Sequence, residues 1–229
     1  MGRAVASMQR DGWRRTFYRA ALRTVNALVF FKILRGVWVE APDLSFCQYD
    51  ERFTADFLSE AVIRQCASDP ENGMSRDFVD EALAKGDVCY GMMDGAVLAS
   101  YGWYSIQQTQ IDPPEVFLDF NKNYVYMYKG FTHPRYRGLR LHAIGMTLAL
   151  EYYRSKGSKG IVSYIESDNF DSLKSAFRMG YRPFGSIYLA QVFGRTLSFS
   201  TVGCKKFGFR AVRQPAASIA VFTASREAS

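Results

Sequence analysis

Histidine and cysteine are scarce in this chain. His133 and His142 are its only histidines, and Cys47, Cys66, Cys89 and Cys204 form no CxxC pair and no metal-ligand spacing with either. That pattern argues against a metal site, so none is expected, and favours reduced, buried thiols in an intracellular, cytoplasmic protein. Long apolar runs are missing too. The best of them, TVNALVFF, stops at Lys32, far short of the roughly 20 residues a membrane span requires. No apolar core followed by a small-residue cleavage site opens the chain, so no signal peptide is expected. Internal repeats are absent. Acid is rare at the N-terminus, where the first 35 residues carry Asp11 alone against Arg3, Arg10, Arg14, Arg15, Arg19, Arg23, Lys32 and Arg35.

What is present is ordinary in bulk and unusual in detail. With 229 residues, 48% apolar and 22% charged, the chain can build one full-sized core. Aromatics reach 15%, and tyrosines cluster in NYVYMY, which suits strand structure and the wall of a ligand groove. The formal charge of +7 points to an anionic partner, such as a phosphorylated cofactor, an acidic protein or anionic lipid. No basic–aromatic binding motif stands out, and no nucleic-acid partner is expected.

Periodicity divides the chain. Residues 11–31 read as a helix whose Trp13, Phe17, Ala21, Val25 and Val29 recur every four residues, with Arg15, Arg19 and Arg23 on the other side. The plain expectation is that the apolar side packs on its own domain. A membrane surface or an acidic partner is the other use for such a helix. KILRGVWVEA reads as a strand, DERFTADFLSEAVIRQCAS as a helix, and SRDFVDEALAKG as a helix capped by Ser75 and stopped by Gly86. Two strands flank Asp94-Gly95. An acidic loop, QIDPPEVFLDFN, precedes the strand YVYMYKGFTHP, after which a long helix runs over residues 139–156. KGIVSYIES is an apolar strand, NFDSLKSAFRMG a short helix, and the rest supplies strands until the Ala/Ser-rich residues 214–229, read as a loose tail. The order makes a mixed α/β (α+β) fold with one parallel crossover.

The stretch FTHPRYRGLRLHAIGM joins strand to helix through a basic turn. A helix start offers unpaired N–H groups and the positive end of the helix dipole. Gly138 permits positive φ, and Arg135, Arg137 and Arg140 add charge suited to phosphate oxygens. His133 and His142 have no metal or triad partner in the sequence and read as structural.

Pro134 followed by Arg135-Tyr136-Arg137-Gly138-Leu139-Arg140, then Asn169-Phe170-Asp171-Ser172, then Gly180-Tyr181 eleven and twelve residues after that asparagine, resembles the GNAT superfamily of N-acyltransferases. The resemblance spans about residues 32–212. It implies a central splayed mixed β-sheet flanked by helices, with the donor's pantetheine arm wedged between YVYMYKGFTH and KGIVSYIES. It further implies arm amides bonded around Phe131, Thr132 and His133, a pyrophosphate held by backbone groups of Arg137, Gly138, Leu139, Arg140 and Leu141, and Asn169, with Ser172, at the pantetheine end. The amine attacks the thioester directly.

Two positions depart from the family. Arg140 stands where Gly or Ala is favoured, and Ala176 stands where a tyrosine often protonates the leaving thiolate. The place of the family's glutamate base falls near Tyr124, which shares a strand face with Tyr126 and Tyr128. Tyr124 and Glu166 are therefore the catalytic candidates. The donor is acyl-CoA, or a long acyl chain on the phosphopantetheine of an acyl carrier protein, and the acceptor is an amine of a small molecule or peptide. The reading divides the chain into a basic helix (1–31), with peripheral membrane contact open to it, an acyltransferase domain (32–213) and the tail. The alternative is a non-catalytic module of degenerate GNAT fold that binds an acyl thioester or anionic lipid.

Overall fold

The computed structural model describes residues 12–113 and 115–213. The expected tail, with Arg3, Arg10 and Asp11, lies outside the described residues. Helix α1 (Trp13–Leu28) leads into β1 (Phe31–Val39), then β2 (Phe53–Phe57), α2 (Glu60–Cys66), α3 (Arg76–Ala84), β3 (Val88–Asp94) and β4 (Val97–Ser105). Short strands β5 (Thr109–Ile111) and β6 (Val116–Asp119) precede β7 (Tyr124–Thr132), α4 (Leu141–Ser155), β8 (Gly160–Glu166) and α5 (Phe170–Arg178). The chain closes with β9 (Arg182–Val192), β10 (Arg195–Ser200), α6 (Val202–Lys206) and β11 (Arg210–Arg213).

Eight strands form one mixed sheet in the order β10-β9-β1-β8-β7-β4-β3-β2, and β11-β6-β5 form a small second sheet. In the large sheet the β7–β8 pair alone is parallel, as a strand–helix–strand crossover through α4 dictates. α4 and α5 cover one face, where Ala149, Leu150, Ala176 and Met179 pack with Val37, Val125 and Ile161. On the other face the small sheet and α6 bury Ile111, Leu118 and Phe207 against Leu34, Tyr126 and Ile187. Beside them α2 and α3 pack Ile63 and Val79 on Trp103 and Tyr101. Each valine, leucine, isoleucine, methionine or phenylalanine among them, fully buried, contributes roughly 1.5–3 kcal/mol.

Three local expectations are corrected. The stretch read as one helix over residues 50–68 begins as strand β2, because Phe53 and Phe57 alternate toward the core, and Ser59 then caps a shorter helix by accepting the Val62 N–H at 3.4 Å. The acidic loop holds β5 and β6, paired by hydrogen bonds that composition does not announce. The apolar side of α1 does not pack on the domain: none of its residues is buried, and Trp13 and Phe17 face solvent.

Candidate active site

β7 and β8 pair only at Tyr124–Gly160, Val125–Ile161 and Tyr126–Val162. Beyond that point each keeps only its outer neighbour, β7 with β4 as far as Thr132 and β8 with β1 as far as Glu166. The inner edges therefore diverge. A local cause is visible in β7, where Trp103 faces Lys129 but Tyr104 faces Met127, so Tyr128 is an extra, bulged residue. A bulge bends its strand, increases the twist and re-aims a side chain.

The open edge carries donors and acceptors. His133 gives its N–H to Ala99 O at 3.0 Å, and Phe131 O receives the Ser100 hydroxyl at 2.8 Å. By the alternation of an antiparallel ladder, Phe131 and His133 are thus committed to β4, and the backbone groups of Gly130 and Thr132 turn to the gap. Of Phe131, Thr132 and His133, Thr132 alone turns its backbone groups to the gap, and Gly130 does the same.

At the mouth, the His133 side chain pins the turn. Its Nδ1 accepts the Arg135 N–H at 3.3 Å and its Nε2 lies 3.1 Å from Glu71 Oε2. Glu71 also draws the guanidinium of Arg135 to 3.6 Å. Arg137 is exposed, with no ion pair among the described residues. Gly138 (φ 88) and Arg140 (φ 60) both take left-handed conformations. The Arg140 guanidinium lies over the Phe46 ring at 5.7 Å, drawn aside from the helix start it precedes. The N–H groups of Arg137 and Leu139 turn back to Pro134 and Tyr136 at 3.4 and 3.3 Å. Those of Leu141, His142 and Ala143 head α4 with no carbonyl behind them. The N–H groups left free in this turn are thus those of the first turn of the helix.

At the neighbouring helix start, Asn169 Oδ1 caps α5 by accepting the Ser172 N–H at 3.1 Å, which leaves the Asn169 amide hydrogens and the Ser172 hydroxyl for a ligand. α1 lies on this corner. Tyr18 donates to Ser167 Oγ at 2.7 Å, Arg19 donates to Asp168 O at 3.1 Å, and Arg15 and Arg19 stand over the Phe170 ring.

His142 packs on β7 from the α4 side, where a Cβ at Gly130 would lie 2.2 Å from its ring. Its Nδ1 is buried without a partner. Burial pushes the imidazole down to about 4, against a hydrogen bond with the Tyr101 backbone.

On the opposite face, where β7 leaves β8, Tyr126 stacks between Tyr128 and Tyr164 with centroids 5.7 and 6.4 Å away. The Tyr128 hydroxyl donates to Asp87 Oδ2 at 2.7 Å, and Lys85 Nζ reaches the same oxygen at 2.8 Å and Thr109 Oγ1 at 2.8 Å. Asp87 is the one buried carboxylate among the described residues. Burial first, and Asp87 second, hold the Tyr128 phenol far above its ordinary value. Burial lowers the Lys85 ammonium despite the pull of Asp87. Burial raises the Tyr164 phenol to about 12.

The two catalytic candidates lie apart. Tyr124 is at the closed end, in register with Gly160, and its hydroxyl donates to Glu40 Oε1 at 3.2 Å. Glu166 is at the open end of β8 but binds Lys32 Nζ at 2.7 Å, which also holds Asp112 at 3.0 Å. Burial would lower the Lys32 ammonium, and the two carboxylates more than offset it. Ala176 is buried in the core. Sequence reading missed Lys85, Asp87 and Tyr164. The available signal was a carboxylate between the helix-stop Gly86 and an apolar strand. Among the described residues no group of His, Cys, Asp and Glu is arranged to hold a metal ion.

No family sequence model matches the chain, and no curated protein matches it by sequence. Solved structures do resemble it. A GCN5-related N-acetyltransferase-like protein from Streptococcus suis 89/1591 is 15% identical over 79% of this chain and 67% of that one, with a TM-score of 0.49. An acetyltransferase of the GNAT family from Colwellia psychrerythraea is 12% identical over 75% of this chain and 57% of that one (TM-score 0.45). A GCN5-related N-acetyltransferase from Sphaerobacter thermophilus is 8% identical over 80% and 56%, also at 0.45. The chain thus spans little more than half the length of the latter two. At such identities and scores these likenesses assign no activity to the chain.

Proposed function

We propose that the chain is an N-acyltransferase that moves an acyl group from a pantetheine thioester to an amine. The observation that carries this reading is the gap that opens in the sheet after Tyr126 and Val162, with polar backbone edges inside it and a helix start at its mouth. An extended amide-bearing arm with a phosphate at one end matches that shape. Gly130 and Thr132 bond the arm's amides, the first N–H groups of α4 and Arg137 hold phosphate, and Asn169 with Ser172 closes the other side.

The thioester carbonyl then lies near the tyrosine stack. The amine nitrogen attacks the carbonyl carbon, the C–N bond forms and the C–S bond breaks. The proton lost by nitrogen passes to Tyr128 as that phenol's own proton moves to Asp87, whose charge Lys85 steadies. Tyr164, whose phenol burial raises to about 12, keeps its proton and hydrogen-bonds the departing thiolate in place of the residue absent at Ala176, and solvent water supplies the thiolate's proton. Glu166, paired with Lys32, lines the side from which the amine arrives, and Tyr124 has no part in the chemistry.

The reading takes in both acyl-CoA and a carrier-bound acyl chain as donor. Arg15 and Arg19, fixed beside Asn169, favour an acidic carrier protein as the donor, because they add positive charge at the mouth. Ala176 in the core favours the second reading, a binding module without turnover. The test is thiol release by the full chain from acetyl-CoA, a long-chain acyl-CoA and the same chain on carrier protein, with a panel of amines. Amine-dependent release supports the enzyme. Tight donor binding with no release under any amine supports the module.

A further inference from the structure

α1 is mounted with its polar side inward. Tyr18, Arg15 and Arg19 hold the α5 corner, and Asn26 clamps the exit into β1 through two hydrogen bonds to Phe31, at 2.8 and 2.9 Å. The opposite stripe carries Trp13, Phe17 and Leu28, which are 65%, 70% and 83% exposed. Among the described residues, no element covers that stripe.

The β9–β10 hairpin supplies a second, independent observation. Its two-residue turn is Phe193–Gly194 with φ 49 and 70, a pair of positive values that suits Asn-Gly and strains a phenylalanine. The Phe193 ring is 100% exposed, so no contact among the described residues offsets that strain. Leu197 and Phe199 follow, also exposed, on one face of β10. The hairpin and α1 meet at one end of the sheet. β1 begins at Phe31 beside Ala190, Ala190 pairs with Leu197, and the turn lies just beyond.

We propose that this end of the molecule, α1 with the Phe193 turn, seats on the surface of an anionic lipid bilayer. Trp and Phe on a helix and a turn suit the headgroup boundary, and Arg14 and Arg23 flank the exposed stripe of α1, whose sequence holds no acid. A second copy of this chain is the poorer occupant, because it would bring Arg14 and Arg23, which flank the stripe at helical spacing, against their own copies. The inference stands whether or not the gap binds a donor. It would hold the Asn169 corner about one helix diameter, roughly 10–12 Å, from the lipid.

The experiment is cosedimentation of the full chain with phosphatidylcholine vesicles, with and without phosphatidylglycerol, at low and high salt. Binding to the anionic vesicles alone, weakened by salt, is expected. Phe193→Asn should melt no lower than the parent, since asparagine suits the turn, yet bind anionic vesicles about tenfold more weakly. Phe17→Gln, at an exposed helix position, should do the same. Unchanged vesicle affinity in both variants overturns the proposal, as does a change of oligomeric state in place of a change in vesicle binding.

Discussion

Tyr128 and Lys85 converge on one carboxylate oxygen, Asp87 Oδ2, at 2.7 and 2.8 Å. The bulge that parts β7 from β8 is the same residue that reaches Asp87, so the event that opens the sheet also delivers a hydroxyl to the only buried acid among the described residues. Backbone irregularity and a buried hydroxyl–carboxylate–ammonium contact thereby fall at one point.

Tyr128→Phe keeps the ring stack and removes the hydroxyl. Transfer should slow by about 100-fold or more with donor affinity unchanged, the usual span for loss of a proton-transfer group. Steady-state rates with separately measured donor binding decide it. An undiminished rate would leave the Asp87 network a purely structural one. Lys85→Met should instead lower stability by about 3 kcal/mol, because it strands a buried carboxylate, and denaturant titration reads that directly.

Arg140 sits at φ 60, a conformation that costs a side chain about 1 kcal/mol. Arg140→Gly should therefore raise the melting temperature slightly. Because its guanidinium lies over Phe46, donor affinity should change little, whereas Arg137→Ala should weaken it several-fold. Calorimetric binding of an acyl-CoA by the two variants separates these outcomes.

Much of this was legible beforehand, and the reasons are specific. The strand–turn–helix around Gly138 and the cap at Asn169 are local devices written in consecutive residues, and they stand where the sequence puts them. The pairing of β7 with β8 followed from the crossover rule. What stayed hidden is set by tertiary registry. Lys85 and Asp87 lie some forty residues before Tyr128, and no periodicity links them. The bulge depends on the partner strand, so the phase that turns Gly130 and Thr132 to the gap, and takes Phe131 away, has no signature in β7 alone. The orientation of α1 likewise reflects Ser167 and Phe170, distant residues that outcompete its apolar stripe for the docking face.

His142 is neutral in the folded chain, with its imidazole pushed down to about 4. In the unfolded chain it takes up a proton below about 6.5. Its contribution is therefore complete above about pH 6.5 and is lost as pH falls toward 4, by an amount on the order of 3 kcal/mol. Urea titrations across that window should show the loss in the parent and a flatter profile in His142→Phe. Equal slopes would place the protonation elsewhere.

Gly130→Ala drives a methyl to within 2.2 Å of the His142 ring. It should cost about 1–3 kcal/mol, as overpacking does, and the double variant with His142→Ala should recover most of it. A full loss in the double variant would put the clash on Met127 Cε, which a Cβ at Gly130 would approach to 2.7 Å, or on the backbone, and not on the ring.

The central claim is that the donor lies between β7 and β8. Amide hydrogen exchange of the full chain, with and without a saturating non-hydrolysable acyl-CoA analogue, tests it most directly. Protection is predicted at Gly130 and Thr132 and at Leu141, His142 and Ala143, with Phe131 and His133 unchanged because β4 already holds them. Donor binding with no protection in β7, or protection confined to another surface, would contradict it.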